Sequence, residues 1–450
     1  MKRLIIAVVA VLLGVYSSSA VPRDEQLKIY NWADYIDEEL ISEFEQWYHE
    51  QTGKNIHIVY QTFDINESML TEIEVGHEDF DAVCPSEYII ERMLRHGLLQ
   101  PIRKDEVKKT GTPLWFDNVS PFATDKFQQM SPDGSKTRVS DYTVGYMWGT
   151  TGFMYNKKYL KASDLDSWGA LYDTRFIGKI LMKDAFRDVY SCLVLFARYD
   201  DILKGTVTRD ELVANITPEN IQLVENMIRR AKPNIFGWEV DFGKETMVKG
   251  KAWANLTWSG DAAWAMSEAK ELGVDLDYVV PKEGSNVWFD GWVIPKYAKN
   301  PVAASYFIDF MCKSENAVRN MDAAGYVSVI GTPEVLEAMT DKSFPALDAS
   351  YMFGESGKNA HLNPVFYPDK SVIDRCALMH DCDKQTEAMV EMWSRVKGDS
   401  LDVKMIVMVV GVIVAFIVLY TLRRYRKYRR LRRRRQRLKQ LYASRKKATV

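Results

Sequence analysis

Regular patterning begins at residues 27–32, LKIYNW, a short apolar run that reads as a strand. The stretch DEELISEFEQWYHEQTG then places Leu40, Ile41, Phe44 and Trp47 at helical spacing and stops at Gly53. NIHIVYQTF predicts a second strand, NESMLTEIEVG a helix, FDAVCP a buried strand and SEYIIERMLRHGLL another helix. A β-α-β-α-β series of this kind predicts a parallel sheet with helices on its faces, which binds ligands at the carboxyl ends of its strands. Trp32, Asp34, Tyr35, Ser86 and Tyr88 all follow predicted strand ends, so one sheet edge gathers them.

A second block begins after the loop SPDGSKTR. YTVGYMWGTTGFMYNKKYL reads as two strands broken by Gly, SWGALYDTRFIGKILMKD as a short helix plus a strand, and AFRDVYSCLVLFARY as a helix. Beyond a helix at TPENIQLVENMIRRAKPN, the stretches AWANLTWSGDAAWAMSEAKELG and LDYVVPKEGSNVWFDGWVIP complete a second mixed α/β unit. Helices at NPVAASYFIDFMCKSENAVRNMDAAG, TPEVLEAM and DCDKQTEAMVEMWSRVKGD follow. The pattern predicts two α/β lobes, with the chain crossing between them more than once.

The two ends differ from this body. Residues 1–20 carry Lys2 and Arg3, an apolar run and the small residues Ser18 and Ala20, which fits a secretory signal cleaved after Ala20. No Cys follows to accept a lipid. Residues 405–422, MIVMVVGVIVAFIVLYTL, form an uncharged apolar stretch long enough for a tilted membrane-spanning helix. Residues 423–450 follow with fifteen Lys and Arg and no acid, which predicts a cytoplasmic tail lying on anionic lipid and a body facing outward. Without the two ends, residues 20–402 hold 41 basic residues against 61 acids, a charge of −20 hidden by the formal −2 of the whole chain. Such a field attracts cations and disfavours nucleic acid.

Motif chemistry argues against an enzyme. There is no Gly-x-Ser-x-Gly, no Gly-x-x-x-x-Gly-Lys and no His-Glu-x-x-His, and the six His are scattered. Of the five Cys, Cys376 and Cys382 alone are spaced for a local disulfide. His380 lies between them, but no second ligand cluster accompanies it to suggest a metal, and no cofactor is implied. What recurs instead is an acid beside an aromatic, in WSGD and FDGW. Paired carboxylates serve glycosidases, whereas Trp beside Asp also suits carbohydrate or ammonium binding, and binding is the stronger reading.

YNWADYI, FDAVCPSEYIIERM, YMWGTTGFMYN, SWGALY, WSGDAAWA, VVPKEGSNVWFDGWVIP and YPDKSVIDRC occur in an order that resembles the bacterial periplasmic spermidine/putrescine receptors of ATP-binding-cassette importers. The likeness covers residues 27–398. It implies a two-lobed α/β periplasmic binding protein of type II that closes like a flytrap. Lobe 1 then takes residues 27–142 and 291–335, lobe 2 residues 143–290, and residues 336–400 pack as helices on the lobes. It also implies a polyamine ligand, ABC permease subunits as partners and a monomeric receptor in the periplasm.

Residue by residue, the resemblance places Trp32, Asp34 and Tyr35 at the cleft through NWADY, and Ser86 and Tyr88 through PSEY. KDAFRDVY supplies Asp188, with Asp184 nearby; WSGD supplies Trp258 and Asp261, VWFD Trp288 and Asp290, and AAGY Tyr326. Bland roles compete. An isolated Trp or Tyr is more often core, Trp253 and Trp264 among them; Asp34 suits a helix cap near Asp37, and Asp188 suits a pair with Arg187 or Arg198. Two departures stand out: Ala185 replaces a second acid typical of spermidine binders, which favours putrescine, and Met379 falls where the family has a polar contact. The alternative to an anchored importer receptor is a polyamine sensor signalling through the helix to a cytoplasmic partner.

Overall fold

The computed structural model describes residues 21–107, 114–132, 136–240 and 242–398, and positions 411–412, 416, 418, 420–421 and 423–425. The signal sequence falls outside these residues, and so does most of the apolar run 405–422. The described positions 412, 416, 418 and 420 are helical and exposed. Among the described residues no helix is long and apolar enough to cross a membrane.

Among the described residues, those up to Val390 form one compact unit, and those from Glu391 belong to another. In the first, β1 (Gln26–Trp32) pairs in parallel with β2 (His57–Phe63) and β3 (Ala82–Val83). The helices Glu39–Thr52, Asn66–Glu74 and Glu87–Arg95 lie between and after them, as the apolar spacing predicts. A second parallel group is made by β6 (Ile180–Lys183), β7 (Ile235–Glu239) and β8 (Ala254–Trp258). Between the groups run two long antiparallel strands, β5 (Thr143–Asn156) and β10 (Ser285–Pro295), giving the order β2-β1-β3-β10-β5-β8-β6-β7. The short β4 (Leu99–Gln100), β9 (Leu276–Val279) and β11 (Val327–Ser328) attach to these two crossing strands.

Both crossing strands are buried along their full length, which accounts for their apolar and aromatic composition. The predicted break at the glycines of YTVGYMWGTTGFMYN is corrected: β5 is one strand of 14 residues. Gly149 is there for close packing. A side chain at Gly149 would lie 2.5 Å from the Trp288 ring, which rests on β5 directly opposite. The predicted short helix at SWGALY is a 3₁₀ segment, Trp168–Tyr172.

Cys376 and Cys382, spaced for a local disulfide, are both free thiols. Cys376 donates to the Val372 carbonyl at 3.3 Å, and Cys382 Sγ accepts from the Arg187 guanidinium at 2.8 Å.

Candidate functional site

Two helices and one strand deliver the three buried carboxylates. β6 leads into the helix Phe186–Ala197 with Asp188 in its first turn, and β8 leads into Ser259–Glu271 with Asp261 in its first turn. Because β6 and β8 are parallel, both helices start at the same sheet edge, where their positive ends favour an anion. Asp290 comes from β10 itself. Strand alternation puts Asn286, Trp288 and Asp290 on one face, with the indole between two polar ends roughly 13 Å apart.

Asp290 is 6% exposed and is held by neutral donors. Tyr35 donates its hydroxyl at 2.8 Å to one oxygen, and Ser86 at 2.7 Å to the other. Burial pushes this carboxyl up to about 6, against the pull of those two bonds, and the nearby Asp188 charge adds to the rise. Asp188 collects three donors on Oδ1: Asn286 Nδ2 at 2.8 Å, and Trp258 Nε1 and Thr151 Oγ1 at 3.1 Å. Burial raises it above its ordinary range, and those bonds only partly offset the effect. The cations considered as its partners turn elsewhere. Arg187 lies 4.1 Å over the Tyr88 ring, and Arg198 pairs with Asp201 at 2.7 Å.

Asp261 has a different environment. Lys183 donates to its Oδ2 at 2.5 Å and Tyr326 to its Oδ1 at 2.7 Å. Burial alone pushes this carboxyl up, but the Lys183 ammonium overrides it and holds the group below its ordinary value. Lys183 also donates to the Val240 carbonyl, approaches Glu239 at 3.6 Å and sits 4.1 Å over the Trp258 ring. Gly260 makes the Tyr326 contact possible, since a side chain there would fall 2.2 Å from the Tyr326 ring.

The aromatic residues form a chain of contacts. Tyr35 meets Tyr326 edge-on at 5.1 Å, and Tyr326 meets Trp288 at 5.7 Å. Trp32 tilts against Phe63 at 4.5 Å, and among the described residues the buried indole N–H groups of Trp32 and Trp288 have no partner. Tyr88 accepts from Asn66 at 2.9 Å, which also reaches Ser86 at 3.0 Å.

Of the expected residues, then, Tyr35, Ser86 and Asp290 are brought together directly, as are Asp188 with Trp258 and Asp261 with Tyr326. Asp34 is exposed, in a left-handed turn at φ 51°. It caps nothing: Asp37 accepts the Glu39 N–H at 3.0 Å instead. Asp184 is half-buried, outside the hydrogen bonds of Asp188, and its backbone N–H pairs with Glu239 at 2.6 Å. Met379 is buried with its sulfur 3.5 Å from Asn286 Nδ2. Lys183, Asn286, Thr151 and Asn66 were not anticipated. Asn286 was within reach of the pattern, being on the Trp288–Asp290 face of SNVWFD, and Lys183 is a charge ending the apolar run KILMK. Among the described residues no cluster of acids, His and Cys could hold a metal.

Two parallel groups joined by crossing strands, with polar side chains gathered where they meet, define a two-lobed periplasmic binding protein. The family model for bacterial extracellular solute-binding proteins matches residues 39–346, and the chain belongs to that family, whose members bind solute without catalysis. It is similar to the spermidine/putrescine-binding periplasmic protein of Escherichia coli K12, 26% identical over 326 residues, which are 72% of this chain and 83% of that one. The putrescine/cadaverine-binding protein of Pseudomonas aeruginosa is 24% identical over 408 residues, 88% of this chain and 99% of that one. Among solved structures, the spermidine/putrescine ABC transporter substrate-binding protein PotD of Streptococcus pneumoniae aligns with a TM-score of 0.61 at 27% identity. That match covers 83% of this chain and 98% of the other.

Proposed function

We propose that this chain is a receptor that captures polyamines, putrescine before spermidine, and delivers them to an ABC permease on the outer face of a bacterial inner membrane. The observation that carries this reading is Asp290, a buried carboxylate held by the hydroxyls of Tyr35 and Ser86 on the strand face that carries Trp288, with Asp188 bonded to Asn286 at the other end of that face. A polyamine at neutral pH is an apolar chain with an ammonium at each end. Each ammonium exchanges water for charge-assisted bonds to a carboxylate, about twice as strong as neutral ones. The methylenes add about 0.8 kcal/mol each when buried against rings such as Trp288, and a desolvated ammonium over a ring adds about 2 kcal/mol. The names of the relatives agree with this ligand class.

The tether rests on the sequence: residues 405–422 are apolar and fifteen bases follow. Holding the receptor at the membrane raises its effective concentration at a permease. Removing the anchor at native expression should then lower uptake; undiminished uptake would discard the tether. For the ligand, calorimetric titration of the purified, ligand-free full chain with putrescine, cadaverine, spermidine and spermine is the test. Heat of binding with putrescine is expected, and no heat with any of the four overturns the reading.

A further inference from the structure

The Asp261 corner contains a buried base that a simple diamine site does not need. Lys183 ends the apolar strand β6 and is 1% exposed. Its side chain is a primary ammonium on a four-methylene stem, chemically one end of a diamine. What surrounds its Nζ is what such an end requires: a carboxylate oxygen of Asp261 at 2.5 Å, the Val240 carbonyl, the Glu239 carboxyl at 3.6 Å, and the Trp258 face 4.1 Å from the ring centre. The second Asp261 oxygen is closed by the Tyr326 hydroxyl at 2.7 Å. Both oxygens have donors, as those of Asp290 do, but here one donor is a cation, so the negative charge an incoming ammonium would meet is already neutralised.

We propose that Lys183 is a resident ammonium that occupies this third cation position and thereby limits the cleft to ligands with two ammonium groups. The inference rests on the polyamine reading above and concerns how many charges the cleft accepts. A triamine reaching toward Asp261 must either push Lys183 off its nearest carboxylate inside the protein or place a second cation beside it; both are unfavourable. A diamine meets Asp188 and Asp290 without disturbing the pair. Lys183 is thus a specificity-determining residue whose own side chain imitates the ligand it excludes.

The test compares the full chain with Lys183→Ala, titrating each with putrescine and with spermidine. The wild type should bind putrescine tighter than spermidine by about tenfold or more, and the substitution should shift that ratio toward spermidine by about tenfold or more. In addition, n-propylamine, which replaces the deleted three carbons and ammonium, should raise the melting temperature of Lys183→Ala and not that of the wild type. If Lys183→Ala folds poorly, preparing it in n-propylamine supplies the missing group, and the wild-type preference can be read without any variant. Lys183→Met, which removes the charge but fills the space, should gain no spermidine affinity. A wild type that prefers spermidine, or a Lys183→Ala ratio equal to the wild-type ratio while putrescine binds both, overturns the inference and leaves the polyamine function standing. Binding of neither amine to either protein overturns both.

Discussion

Asp290 and Asp261 are almost equally buried, 6% and 5% exposed, yet the protein treats them in opposite ways. Asp290 receives two hydroxyl groups and is pushed up to about 6 by burial. Asp261 receives the Lys183 ammonium and stays below its ordinary value. A buried anion whose counter-charge lies within the chain has its desolvation cost offset from inside the fold, and breaking that pair is what costs stability. One supplied only with neutral donors is left with a desolvation cost that a cation from outside can relieve. On the function proposed above, the comparison sets a carboxylate paired within the chain against one left for the ligand's ammonium.

The largest expected effect comes from breaking the internal pair. Asp261→Asn removes the nearest counter-charge of the buried Lys183, leaving it the Val240 carbonyl and Glu239 at 3.6 Å, and should lower stability by about 3 kcal/mol or more in denaturant unfolding, while changing putrescine affinity much less. The mirror result is expected of Asp290→Asn. It should weaken putrescine binding by about 3 kcal/mol in calorimetric titration and leave the unfolding midpoint at pH 7.5 undiminished, because it removes an anion that is costly to bury. An unaltered dissociation constant for that variant would remove Asp290 from the site.

Acid sharpens the same contrast. The Asp290 carboxyl is raised above its ordinary value of 3.8, so the folded state takes up a proton as pH falls through about 6, before the unfolded chain does. Its contribution to stability thus improves as pH falls from 7 toward 5 and is lost as pH rises through the folded value. Cation affinity runs the other way, falling by about tenfold per pH unit below 6, in titrations over that range. Affinity constant between pH 7 and 5 would contradict the assignment. The smallest effect is Tyr35→Phe, which deletes one donor to Asp290. Putrescine should bind about 1 kcal/mol more weakly, and the pH midpoint should move upward.

Much of this arrangement was legible in the sequence, because helices and strands in the body have clear apolar periods. The first three strands and their helices are read from spacing alone, and of the residues after the predicted strand ends Tyr35 and Ser86 meet on Asp290. The long β5 was not legible as one strand, since its glycines look like breaks until Trp288 is seen lying on Gly149. Side-chain pairing was harder still. WSGD reads as a ligand acid beside an aromatic, but its partner Lys183 is 78 residues away and reaches it through the pairing of β6 with β8. Likewise Asn286, which holds Asp188, is separated from it by 98 residues. Sequence spacing carries local periodicity, whereas the sign of the charge beside a buried carboxylate depends on which strands become neighbours.

The most direct test of the account is a crystal structure of the protein soaked or grown with putrescine. The account predicts one ammonium within hydrogen-bond distance of Asp290 and the methylenes against Trp288, with the other ammonium directed to Asp188 and Lys183 still on Asp261. An ammonium bound to Asp261 with Lys183 displaced, and Asp290 left without a cation, would contradict it.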